Sequence, residues 1–329
     1  MPKLPGASRL RVVSWLAIAL AAVAATWSTP RSNRAAEPDA KWKLVWSDEF
    51  DGAAVDPLKW DFDIGNGFGD KKAKRWIPGW GNNELEYYTR SSENVGVKDG
   101  MLYIRALEQP MKDSGYTSAR LKSRKADGSP LFNQKYGRFE FRAKLPAGKG
   151  IWPALWMLPQ DNKYGGWPCS GEIDVMEARG QEPNKVLGTI HFGLPWPANV
   201  HVGEEYVFPN QATIEDFHVY AVEWEPGEIR WYVDDKLYSD QRFWWSPRQP
   251  GRAKTSTTLK ESDLNPWPAP FDQPFFIIMN LAIGGNFLGP PDNSTTFPAE
   301  MLVDYVRVYE KESGYGPTKP RGEGKLPTH

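Results

Sequence analysis

The chain reads as all-β, with two antiparallel sheets packed face to face. Short runs of β-branched and aromatic residues recur from Trp42 to Glu310, with turn residues between them. Gly 30 and Pro 29 make up about 18% of the chain, against roughly 12% in average usage. No sustained helical period, internal repeat or composition break interrupts the pattern. A two-layer β-sandwich buries such strands most economically.

The elements follow in order. Lys3, Arg9 and Arg11 precede the apolar run Val12–Ala25. That run is shorter than the roughly 18 residues needed to cross a bilayer, and Ala22 and Ala24 suit cleavage. Residues 1–25 therefore read as a signal peptide, with an uncleaved anchor as the rival, and 26–40 as a linker. Removing 1–25 takes away three basic residues and no acids, so the net charge falls from −1 to −4. The expected product is exported to the periplasm or the medium, without stable membrane association.

Residues 41–312 form one β-sandwich domain. Strands are expected at Met101–Ala106 and Phe217–Trp224. In Tyr136–Leu145, Arg138, Glu140, Arg142 and Lys144 alternate with Phe139, Phe141, Ala143 and Leu145, which predicts one polar and one apolar face. Glu228–Val233 leads through Asp234-Asp235 into Lys236–Tyr238 as a hairpin. Phe275–Ala282, continuously apolar but for Asn280, reads as a central strand. Phe243–Phe271 is proline-rich and reads as a surface loop, and 313–329 as a flexible tail.

Composition excludes several functions. Lys+Arg 40 against Asp+Glu 41 leaves no basic surplus to displace counterions from phosphates, so nucleic acid is not a partner. One cysteine excludes an internal disulfide framework and a thiolate metal cluster. Sixteen tryptophans in a polar chain suggest flat apolar platforms as well as core filling.

The chemistry concentrates at Glu172-Ile-Asp174-Val-Met-Glu177. On a regular strand Glu172 and Asp174 share a face while Glu177 points the other way. A β-bulge at Val175-Met176 would return Glu177 to the first face. Three crowded acids raise each other's pKa, which suits one proton-donating carboxyl beside an ionised one. The spacing alone equally fits a solvated face or a cation site. Its surroundings favour a sugar cleft, because Trp152 and Trp156 fall on one face of the preceding strand.

The segment resembles the signature of glycoside hydrolase family 16, in the laminarinase-like branch with the extra bulge residue. So do Trp46–Gly52, Gly81–Thr89, Tyr136–Glu140, Ile151–Leu158, Pro274–Gly285 and Met301–Tyr309, in family order. The resemblance implies a β-jelly-roll with an open concave cleft and retaining endo-hydrolysis of β-1,3-glucan, acting as a monomer. It implies Glu172 as nucleophile, Glu177 as general acid/base and Asp174 as the assisting carboxylate. His191 matches a position near them, and a backbone-bonded core histidine is the other reading. Asn82, Trp152, Trp156 and Trp167 are the expected sugar contacts. Arg120 could reach the cleft or form a surface salt bridge, and Cys169 is expected to fill space.

The resemblance implies no cofactor for catalysis. It does suggest a structural Ca²⁺ held by the carbonyls of Glu49 and Gly100 and the carboxylate of Asp304, unless Asp304 simply pairs with Arg307. Two alternatives stand beside the leading one: hydrolysis of mixed-linkage glucan, agarose or carrageenan, and a non-catalytic glucan-recognition protein.

Overall fold

The computed structural model describes residues 42–70, 74–250 and 258–326. The expected signal segment and linker lie outside them. Two large antiparallel sheets form the sandwich. One has seven strands in the order Asn199–Val207, Lys185–Gly193, Glu172–Glu177, Ile151–Pro159, Phe275–Ile283, Arg120–Lys122 and Asp61–Phe62. The other runs Lys236–Gln241, Glu228–Val233, His218–Glu225, Gly137–Lys144, Ala299–Lys311, Met101–Ala106 and Val95–Lys98, with Trp42–Asp48 also paired to Ala299–Lys311.

Alternation fills the space between the sheets. Ile151, Leu155 and Met157, Ile173, Val186, Ile190 and Phe192, and Phe275, Ile277, Met279, Leu281 and Ile283 all point into one core. Phe139, Phe141, Val222, Trp224, Trp231, Val303 and Val306 meet them from the facing sheet. The same alternation sends Trp152, Trp156, Glu172, Asp174, Glu177 and His191 to the outer face of the first sheet.

Three expectations change. The polar face of Gly137–Lys144 is largely buried, because Arg138 is held by Glu140 at 2.8 Å, Asp235 at 2.7 Å and Glu223 at 3.4 Å. The described parts of 243–271 are not a surface loop. Trp244, Trp245 and Phe271 are buried, and Trp244 packs on Trp267 with centroids 4.5 Å apart. The tail is strapped down over 314–326. Trp267 Nε1 donates to the Lys319 carbonyl at 2.7 Å, Gly322 N to the Arg242 carbonyl at 2.6 Å, and Leu326 packs against the core. Proline-rich sequence lacks strand periodicity, yet its aromatic rings still bury.

Candidate active site

The site begins with a bulge. Leu155 pairs with Met176 and Trp156 with Asp174, while on the other side Asp174 pairs with Thr189 and Glu177 with Leu187. One residue is therefore extra between Asp174 and Glu177, as the spacing predicts. Ile173, Val175 and Met176 are all buried in the core, and the three acids share the outer face. A bulge disrupts the ladder locally, and Trp231 reaches across from the facing sheet, its Nε1 donating to the Asp174 carbonyl at 2.8 Å. This approach needs Gly188 beside it, since a Cβ there would lie 2.3 Å from the Trp231 ring.

Each glutamate has its own indole donor. Trp167 Nε1 donates to Glu172 Oε2 at 2.6 Å, and Trp152 Nε1 to Glu177 Oε1 at 3.1 Å. His191 sits opposite Glu172 in register, with Nε2 3.4 Å from Asp174 Oδ2 and 3.8 Å from Glu172 Oε1. Its Nδ1 is buried without a hydrogen-bond partner among the described residues, unlike a core histidine bonded to the backbone.

Burial dominates the electrostatics. It pushes Glu172, Asp174 and Glu177 each up to about 8, since an ion loses hydration there. The neighbouring Asp174 adds to the rise at both glutamates, while His191 and the indole N–H groups oppose it. A hydrogen bond from Glu172 favours the charged form of Asp174. The trio thus carries fewer than three charges near neutral pH, so a carboxyl proton donor is available there.

The flanking floor is aromatic and partly cationic. Trp156 Nε1 donates to Asn280 Oδ1 at 2.7 Å, Asn280 Nδ2 to the Tyr88 hydroxyl at 3.1 Å, and that hydroxyl to Glu84 Oε2 at 3.2 Å. The Arg120 guanidinium lies 4.8 Å from the Trp156 ring and 4.7 Å from Trp80, and pairs with Asp63 at 3.1 Å. The ion pair with Asp63 is largely buried, and is not the surface salt bridge of one expectation. Asn82 donates to Glu84 at 2.9 Å, and its carbonyl closes on Gly285 beside the Trp152 ring. Cys169 is buried, which raises its thiol to about 11 and fits space filling. Sequence reasoning missed Trp80, Asn280 and Trp231. Only Asn280 carried a signal, as the lone polar residue of Phe275–Ile283.

The expected metal residues gather elsewhere. Asp48 pairs with Val306, and Val303 with Leu102, so the end of one strand (Glu49) and the turn before another (Gly100) converge on Asp304. Asp304 accepts from Arg142 Nη1 at 2.9 Å, and Arg307 is held by Glu49 at 2.9 and 3.2 Å.

The model for glycosyl hydrolases family 16 matches residues 83–257. Glucan endo-1,3-beta-glucosidase A1 of Niallia circulans is 47% identical over 281 residues, 83% of this chain and 38% of that protein. Beta-glucanase of Rhodothermus marinus is 46% identical, over 82% of this chain and 85% of that one. Among solved structures, the laminarinase catalytic domain of Thermotoga maritima MSB8 superposes with a TM-score of 0.66 at 43% identity, covering 82% of this chain and 98% of that one.

Proposed function

This chain belongs to glycosyl hydrolases family 16, and from that premise we propose that it cleaves internal β-1,3 linkages of a laminarin-type glucan with retention of configuration. One observation carries the reading: a single bulge brings Glu172, Asp174 and Glu177 to one face, and each glutamate has a separate indole donor.

In this mechanism Glu172 attacks the anomeric carbon while Glu177 protonates the departing glycosidic oxygen, leaving a glycosyl ester on Glu172. Glu177, now ionised, deprotonates a water that displaces Glu172, and the two inversions restore the β configuration. Burial keeps Glu177 protonated for the first step. The Trp167 N–H steadies the negative charge on Glu172. Trp152 and Trp156 offer ring faces to the sugars.

The test is a reducing-sugar assay across laminarin, lichenan, agarose and cellulose, with NMR of the first product anomer. Fastest release from laminarin, initially as β-anomer, supports the proposal. An initial α-anomer defeats the mechanism, and preference for another polymer defeats the linkage.

We also propose a structural Ca²⁺ at the Glu49–Gly100–Asp304 junction. Two carbonyls and a carboxylate are the hard oxygen donors that calcium favours. The ion would tie three strands together and take no part in catalysis. Export with loss of residues 1–25 completes the reading, and amino-terminal sequencing of protein from the medium or periplasm tests it.

A further inference from the structure

We propose that Glu172, Asp174 and His191 also form a reversible inhibitory site for a borderline divalent cation, Zn²⁺ or Cu²⁺. One ligand atom from each residue lies within 4.8 Å of the others. Two of the separations, 3.4 and 3.8 Å, are close to the spacing of about 3.3 Å between tetrahedral ligands with bonds of roughly 2.0–2.1 Å. The separation between the two carboxylates is bounded only by 4.8 Å, so an inward shift of the Glu172 side chain would complete the set.

A second observation points the same way. Asp174 Oδ2 is buried, accepts no hydrogen bond from the described residues and faces His191 Nε2. A buried acceptor without a donor is costly, and a cation there would supply its missing partner. The strand holding it is fixed by the Trp231 bond to the Asp174 carbonyl. One imidazole nitrogen with two carboxylates suits zinc or copper, whereas calcium and magnesium favour oxygen alone. Three protein ligands leave a fourth position open to the cleft. Nδ1 of His191 has no partner among the described residues and so lacks the usual outer support, which points to weakened binding and reversible occupancy. Occupancy would take Glu172 from the sugar, so metal and substrate would exclude each other.

The inhibition arm rests on the glucanase reading and the binding arm does not. ZnCl₂ alone is titrated calorimetrically into the whole protein, with excess CaCl₂ present so that hard-cation sites stay filled. One zinc per chain is expected, weakened about tenfold or more in His191→Asn and retained in His201→Asn. Asp174→Asn is the second variant should His191→Asn melt early, and its binding should weaken similarly. In steady-state assays zinc should raise the KM for laminarin and leave kcat unchanged, while MgCl₂ does neither. No saturable zinc heat, undiminished binding in both site variants, loss of binding in His201→Asn, or a fall in kcat at constant KM would each overturn the proposal. If laminarin is not hydrolysed at all, the calorimetry still decides.

Discussion

The Trp167 indole N–H meets Glu172 Oε2 at 2.6 Å, from only five residues upstream along the chain. Trp167 is half exposed, so its ring borders the cleft while its nitrogen serves the carboxylate. Hydrogen bonds to charged groups are worth about 1.5–3 kcal/mol. Trp167→Phe keeps a ring but removes the donor, and should lower kcat about tenfold to a hundredfold. Because the N–H favours ionised Glu172, the acidic limb of the pH–rate profile should also move to higher pH. A profile of unchanged position and height would show the bond to be incidental.

The raised carboxyls make stability depend on pH with a definite sign. Glu172, Asp174 and Glu177 stay protonated up to about 8 in the folded chain, whereas the unfolded chain releases these protons near the ordinary carboxylate range. Between those limits the folded state binds more protons, so stability falls as pH rises through that window. Asp174→Asn removes one of the buried acids. It should stabilise the protein by something on the order of 2 kcal/mol at pH 8, with little gain at pH 4, while activity falls. Thermal melts at both pH values check this, and equal shifts at both would contradict it.

The bulge offers a geometric test. Deleting Val175 would leave Glu-Ile-Asp-Met-Glu, in which alternation with a period of two residues keeps all three acids on the outer face without a bulge. Hydrolysis of laminarin should then persist, at a rate changed by the altered separation of the two glutamates. A deletion variant that folds but cleaves nothing would show that the bulge itself, and not the shared face alone, is required.

That bulge was legible because the spacing of three acids in an apolar strand demands one extra residue if all are to share a face. Strands with clean alternation were legible for the same reason. Arg138 and Glu140 misled because alternation reports polarity, and a polar face can be buried when its charges pair across strands. Trp244 and Phe271 misled because a proline-rich stretch has no period, although its rings bury as well as those of any strand. Trp231 and Trp80 act from segments distant in sequence, and no local spacing carries such contacts. Asn280 was visible as a polar break, but its partners Trp156 and Tyr88 were not.

Removing metal tests the Glu49–Gly100–Asp304 junction. A ligand bound only to the folded state stabilises it by mass action. Exhaustive EDTA should therefore lower the melting temperature and leave kcat at low temperature nearly unchanged, with Asp304→Asn insensitive to the chelator. A melting curve unmoved by EDTA, with no metal in elemental analysis, would leave Asp304 as the partner of Arg142.

The two cleft tryptophans should fail differently, because their nitrogens have different partners. Trp152 donates to Glu177, so Trp152→Phe should lower kcat on short and long oligosaccharides alike. Trp156 donates to Asn280, away from the acids, so its contribution is the ring face and its orientation. An aromatic contact is worth about 0.5–1.5 kcal/mol beyond its buried area, or about two- to twelve-fold in kcat/KM. Trp156→Ala should show that loss, growing with β-1,3 oligosaccharide length as remote binding energy is spent at the scissile bond. Asn280→Leu frees the indole without removing it and should give a smaller loss of the same kind, mainly in KM. Kinetics on an oligosaccharide ladder, paired with thermal melts, separates these cases. If Trp156→Ala instead costs about 3–5 kcal/mol of stability and acts equally on all lengths, the ring belongs to the core and not to the cleft.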